Sequence, residues 1–391
     1  MLRYFSADYI FPINSLPLRR GVISIDADGV IAGLYSGDEA FGLGDVEIKR
    51  LSGILIPGFI NAHCHLELSH LKGRIPSNTG LVDFIKNVLK TREGDSEKIT
   101  KSMQEADKMM YDNGIQAVGD HVNTSASAKV KETSKLLYHT FVEIIGLKEE
   151  EAAQKIDEAK DIEFFFDPNH ASITPHASYS LSKAAFKLFK RSIAEDNIIS
   201  IHNQESDEEN KLFRYRAGDF LDFYDFLGVD YSDFKAQARN SLQSYLSYMP
   251  VSNKLILVHN TFTSIKDIDF INRLGRNVIF CMCPKANLYI EDSLPKLNLF
   301  DLDSDNIVLG TDSLASNDTL DILEELKTLH SHFPELDLLK TIRWATLNGA
   351  KALGIDDQMG SLEVGKAPGL VLLKDLKNFR LNESVKVERI V

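Results

Sequence analysis

The chain has few cysteines, no concentrated positive charge and no long apolar run, and each shortage removes a class of protein. Its three cysteines are an odd number, with Cys64 alone and Cys281 and Cys283 two apart in an apolar run. That pattern gives no disulfide framework and agrees with a reducing compartment. Lysine and arginine total 44 against 57 aspartates and glutamates, for a net charge of −13. No Lys/Arg cluster reverses that balance locally, so nucleic acid is excluded as a partner and a small molecule is expected. No apolar stretch approaches the ~18 residues needed to cross a bilayer. The opening MLRYFSADYIF has neither a sustained apolar core nor a small-residue cleavage site, so the expectation is a cytoplasmic protein with no membrane contact. No repeat, low-complexity tract or long flexible linker is evident.

What remains is the composition of a soluble globular protein, 43% hydrophobic and 26% charged, with slightly negative mean hydropathy. The 391 residues suffice for a large barrel with an appended small domain. From about residue 115, apolar β-rich runs alternate with amphipathic segments: GIQAVGDH, LYHTFVEIIGL, ASITPHA, NIISIHN, LILVHN, NVIFCMCP and NIVLGTD. With the opening run Ile54 to Ile60, read as one buried strand entered through a turn at Pro57 and Gly58, these make eight candidate strands. Near-continuous apolar strands are those of a parallel sheet covered on both faces, and eight is the number that closes a (β/α) barrel. The ends differ, because GVISIDADGVIAGL and GSLEVGKAPGLVLLKD read as short strands and turns that can pair with each other into one side domain.

In such a barrel the active site gathers at the carboxyl ends of the strands. There the sequence sets His63 and His65 after the first run, Asp120 and His121 after the second, and His176 after the fourth. His202 and Glu205 follow the fifth, His259 the sixth and Asp312 the eighth. Six of 11 histidines therefore fall at strand ends, which marks a metal or catalytic pocket. His63, His65 and His202 with Asp312 make a ligand set for one divalent ion with an open position. An ion so held lowers the pKa of a bound water from near 15.7 to about 7. Glu205 is then placed to donate a proton to a substrate ring nitrogen, and His259 and Asp312 to take one from the attacking water. Each has a blander alternative: a solvated helix-start acid for Glu205, a satisfied core histidine for His259, an N-cap for Asp312. For Asp120 and His121 the structural role is the preferred reading. His70, His139, His170, His330 and His332 carry no positional argument.

The pieces PGFINAHCHLELSHLKG, TPHASYS, IHNQES, VHNT, CPKANLYI, GTDSLASND, ATLNGAKALG and GSLEVGKAPGLVLL run in order from residue 57 to 373. In that set the chain resembles the amidohydrolase superfamily, in its deaminase and chlorohydrolase branch. The resemblance implies an α/β fold, a (β/α)₈ TIM-like barrel over 57–356 beside a composite β-sandwich from 1–56 and 357–391. It implies His63, His65, His202 and Asp312 as metal ligands, Glu205 and His259 in proton transfer, and His176 in substrate contact. Two-metal members carry a bridging modified lysine at the end of strand four, but ITPHAS has none, so one ion is expected: zinc, with iron(II) or manganese(II) also compatible. Mononuclear members of this branch deaminate aromatic heterocycles, releasing ammonia. HCHLE, LSHLKG and PHASYS are similar to bacterial 6-aminodeoxyfutalosine deaminases of menaquinone biosynthesis. Guanine, S-adenosylhomocysteine, methylthioadenosine and triazines are the alternative substrates, and a catalytically silent scaffold is the alternative of another class. Glu67 is read equally as a ribose-hydroxyl acceptor or as a partner of a ligand histidine. Arg214 and Arg216 are read as a carboxylate clamp or as a solvated helix face. The oligomeric state stays open, a homodimer included. One departure is GKAPG, where the family carries an acidic residue, and it bears on the sandwich rather than the site.

Overall fold

The computed structural model describes residues 1–232, 234–236 and 238–391. Eight parallel strands form its centre: β1 (Phe59–Cys64), β2 (Ile115–Val122), β3 (Leu137–Ile144), β4 (Ala171–Pro175), β5 (Ile199–Asn203), β6 (Leu255–His259), β7 (Val278–Met282) and β8 (Ile307–Leu309). They pair in sequence order as two four-stranded sheets, β1 to β4 and β5 to β8. Two bridges close the ring, Cys64 beside Asp312 at one seam and Ala177 beside His202 at the other. Backbone bonds fasten both seams: His63 O accepts from Thr311 N at 3.0 Å, and His176 O accepts from His202 N at 3.0 Å. The strands are buried on both faces because helices wrap the outside and side chains such as Phe141, Ile256 and Val308 fill the inside.

The helices form where polar and apolar residues recur with helical spacing. Ser96–Asp112 starts at Asp95, whose carboxylate accepts from Lys98 N, and buries Met103, Ala106 and Met110 on one face. Each such buried methionine contributes about 1.5–3 kcal/mol. The helix ends before Gly114, whose φ of +83° turns the chain into β2.

Both ends of the chain build the side unit. A four-stranded sheet contains Arg3–Ser6, Val22–Ile25, Ile31–Tyr35 and Ile48–Arg50. A five-stranded sheet joins Tyr9–Ile10, Leu18–Arg19 and Ile54–Pro57 to Leu370–Lys374 and Lys386–Arg389. Phe5, Ile23 and Ile31 of the first sheet and Ile10, Leu55 and Leu370 of the second share one core, the packing of a sandwich. The single strand expected over Ile54 to Ile60 is in fact two. Ile54–Pro57 pairs antiparallel with Leu370–Lys374, whereas Phe59 opens the barrel, and Gly58 is the joint between them. No helix among the described residues is long and apolar enough to cross a membrane.

Candidate metal centre and cavity

The strand ends converge on one point. His63 Nε2 and His65 Nε2 each lie 3.6 Å from Asp312 Oδ1. His65 Nε2 faces His202 Nε2 at 3.1 Å. Tetrahedral ligands about 2.0–2.1 Å from an ion lie roughly 3.3–3.4 Å from one another, so these separations are close to the edges of a coordination tetrahedron. The chemistry of the donors agrees. Among the described residues, neither buried ring nitrogen of His63 has a hydrogen-bond partner, a costly state that an ion would relieve. His202 Nδ1 sits 2.9 Å from His176 O, which fixes the ring and turns Nε2 inward. Asp312 accepts from Ser316 Oγ through Oδ2, leaving Oδ1 toward the histidines. The residues present therefore fit one divalent cation.

Electrostatics separates the carboxyls beside this point. Burial pushes Glu205 well above the usual carboxylate range, and the nearby Asp312 and Glu209 charges raise it further. A protonated Glu205 is thereby favoured. Asp312 is held well below its ordinary value: burial opposes ionisation, but the close approach of His63 and the fields of His65 and His259 outweigh it. His259 is pushed down to about 4, chiefly by burial. Its Nδ1 lies 2.9 Å from Asn287 Oδ1, and its Nε2 points at Glu205 Oε1, 3.6 Å away. Glu205, His259 and Asp312 thus stand within one cluster. His259 and Asp312 hold positive φ angles of 73° and 55°, a strained backbone of the kind that collects at functional sites.

Glu205 has a support that was not singled out in the sequence. Glu209 Oε1 accepts from Glu205 N at 2.8 Å, and Glu209 Oε2 accepts from Ser241 Oγ at 2.6 Å. Ser206 and Glu209 form a capping box on the helix Asp207–Tyr215. The spacing Ser206-x-x-Glu209 was the available signal. Glu143, at the end of β3, was also missed. It lies 2.9 Å from His121 Nδ1 and 3.6 Å from His202 Nδ1, and Oε2 accepts from Asn123 Nδ2 at 2.7 Å. Its one signal was a lone acidic residue in a mostly apolar strand.

The remaining singled-out residues divide cleanly. His176 lines the cavity, its Nδ1 held 2.9 Å from Ser180 Oγ, and burial first of all pushes it down to about 4. His121 stands in one cluster with His63, His65 and His202, and both its nitrogens are engaged, Nδ1 with Glu143 and Nε2 with Ser200 Oγ, each at 2.9 Å. Asp120 pins Leu66 N at 2.7 Å and pairs with Lys131 at 2.6 Å. Glu67 is not brought to the cavity, because its carboxylate holds Asn123 N at 3.1 Å and Thr124 Oγ1 at 2.5 Å. Arg214 and Arg216 are exposed and also stay outside it. Arg214 donates to Arg239 O, and Arg216 donates to Tyr231 O at 2.9 Å and Ser232 O at 3.0 Å.

Known proteins resemble this chain over most of its length. The model of the amidohydrolase family matches residues 54–389. An adenosine deaminase of Helicobacter pylori is 28% identical over 352 residues, covering 87% of this chain and 82% of its own. A 5-methylthioadenosine/S-adenosylhomocysteine deaminase of Pyrococcus horikoshii is 26% identical, covering 79% of this chain and 72% of its own. Among solved structures, the Helicobacter pylori aminofutalosine deaminase in complex with methylthio-coformycin superposes with a TM-score of 0.77 at 22% identity, over 97% of this chain and 93% of that one.

Proposed function

The chain belongs to the amidohydrolase family, and from that premise we propose that it is a metal-dependent deaminase of adenine nucleosides whose substrate is 6-aminodeoxyfutalosine. His63, His65, His202 and Asp312 would hold a single divalent ion, zinc or alternatively iron(II) or manganese(II). Bound there, such an ion would supply a water acidified to a pKa of about 7. Everything else is done by the chain. Asp312 and His259 accept the proton released as the water oxygen bonds to the amine-bearing ring carbon. Glu205, kept protonated by burial, gives its proton to the adjacent ring nitrogen. The proton taken from the water passes to the amino group, the carbon–nitrogen bond breaks and ammonia leaves, and the remaining hydroxyl proton returns to Glu205 as the ring carbonyl forms. His176 borders the heterocycle from β4. The end of β4 carries Pro175 and His176 and no lysine, which supports one ion rather than two.

One observation carries this reading: Glu205, His259 and Asp312 share a cluster, its Asp312 lies 3.6 Å from both His63 and His65, and Glu205, His259 and Asp312 line one cavity with His65 and His202. A silent scaffold is disfavoured because no member of either set is missing. Methylthioadenosine or S-adenosylhomocysteine is the second reading, favoured by the likeness to the Pyrococcus horikoshii enzyme. The deciding experiment is ammonia release by the zinc-loaded protein against 6-aminodeoxyfutalosine, adenosine, S-adenosylhomocysteine, methylthioadenosine and guanine at equal concentration. The highest kcat/KM is expected for the first. A preference for another adenine nucleoside would keep the reaction and overturn the substrate, and no turnover of any by a metal-loaded chain would overturn both.

A further inference from the structure

Beyond the groups given roles above, the cavity has a second region of different character. It encloses about 220 Å³, and one wall is apolar, built by Phe84, Val88 and Leu89 of the helix Leu81–Thr91 and by Ile145, Phe223 and Leu227. Leu89, Ile145 and Leu227 are 37%, 42% and 40% exposed. Exposed apolar side chains gathered round one opening mark a ligand surface. A ribose, whose edge is hydroxyls, gains nothing from them.

Within this wall Arg92 is the one lysine or arginine among the described lining residues. It is half-buried, and among the described residues no carboxylate lies within ion-pair distance of it. Its side chain reaches Asn123 Oδ1 at 3.5 Å, long for a hydrogen bond, so most of its donors are unspent. Its surroundings are nevertheless built. A His70 ring nitrogen lies 2.9 Å from Arg92 O, and Asn123 is held at its amide by Glu143 and at its backbone by Glu67. The hydrogen bonds that keep Glu67 out of the cavity therefore fix the partner of Arg92.

We propose that Arg92 is a specificity-determining residue that binds a carboxylate at the end of an apolar, aryl-like extension on the sugar of the nucleoside. The inference rests on the nucleoside-deaminase reading above. A single guanidinium fork matches a monoanionic carboxylate, which it can engage through two hydrogen bonds. A phosphate dianion would lack a second basic side chain here and would share the cavity with the ionised Glu143. The apolar wall covers the extension, while Arg92 rejects neutral or cationic ends by leaving its own charge unpaired.

The test compares 5′-deoxyadenosine bearing a 5′-linked benzoate with its methyl ester, on the metal-loaded full chain and on Arg92→Gln. In the native protein the acid should exceed the ester in kcat/KM by at least about tenfold, through KM. Arg92→Gln should lower that ratio about 10- to 100-fold, the scale of a hydrogen-bonded charge. Arg92→Lys should retain part of the preference, as a point charge without the fork. An unchanged acid-to-ester ratio in Arg92→Gln overturns the proposal. Calorimetric binding of the two deaminated products needs no turnover, so it judges Arg92 even if the native protein deaminates neither compound. In that case equal affinity of native and Arg92→Gln for the acid product counts against Arg92, and absent turnover counts against the deaminase reading alone.

Discussion

Glu205 is useful because its surroundings make its charge expensive. Its carboxyl is buried, faces His259 across 3.6 Å and stands near the Asp312 charge, so it keeps a proton that a solvated glutamate would have lost. Glu205→Gln removes the transferable proton and preserves the shape, while the proposed ligands are untouched. Metal content measured by atomic spectroscopy should stay at the native level, and kcat should fall at least about 100-fold. A near-native rate would remove its role in proton transfer. At this scale the sequence was informative wherever a residue closed an apolar run, as His63, His202, His259 and Asp312 do. It was silent on Glu143, Asn287 and Ser316, which act by holding another side chain. Glu143 and Asn287 carry no spacing of their own, because the histidines that they touch are distant in the chain, whereas Ser316 stands four residues from the Asp312 it holds. Glu67, Arg214 and Arg216 reveal the converse difficulty. A charge near a motif can be spent on backbone groups, and only the folded chain tells which.

At the level of elements, the eight apolar runs were legible because parallel strands buried on both faces leave a near-continuous hydrophobic record. The split at Gly58 was not, since Ile54–Pro57 and Phe59–Cys64 form one apolar string although they serve different sheets. Close approach between strands was equally hidden. Gly310 follows β8 where it meets β1, and a Cβ there would lie 2.6 Å from His63 Cβ and 3.0 Å from both His63 N and Cys281 Sγ. No flexible chain end is available to move aside. Gly310→Ala should cost about 1–3 kcal/mol in denaturant unfolding, the usual scale for overpacking. It should also weaken metal retention in a chelator titration, because the displaced residue is His63. Native stability together with native metal retention would show that the β1–β8 contact is looser than the distances imply.

For the molecule as a whole, His139 is one group outside the site that ties stability to pH. It is buried in β3 with Nε2 2.8 Å from Ser172 Oγ and Nδ1 unpartnered, and burial pushes it down to about 3. The unfolded chain takes up this proton near pH 6.5, whereas the folded one resists until about pH 3. The unfolded state therefore binds more protons across that window. Stability falls as pH falls from about 6.5 to 3, by about 1.4 kcal/mol per pH unit from this group. In His139→Gln, unfolding free energies measured between pH 3.5 and 6 should have a slope shallower by about one proton. An unchanged slope would mean that the ring is protonated in the fold. The closing of the ring has a last consequence. The first half-ring, β1 to β4, carries His63 and His65, while the second, β5 to β8, carries His202 and Asp312. Neither half has more than two of the four proposed ligands, and each seam has at least one beside it. A fragment with half the strands can be hydrophobic, helical and compact and still fail to retain the ion. Tight metal stoichiometry is thus a census of completed rings, and chains caught half assembled are chemically inert.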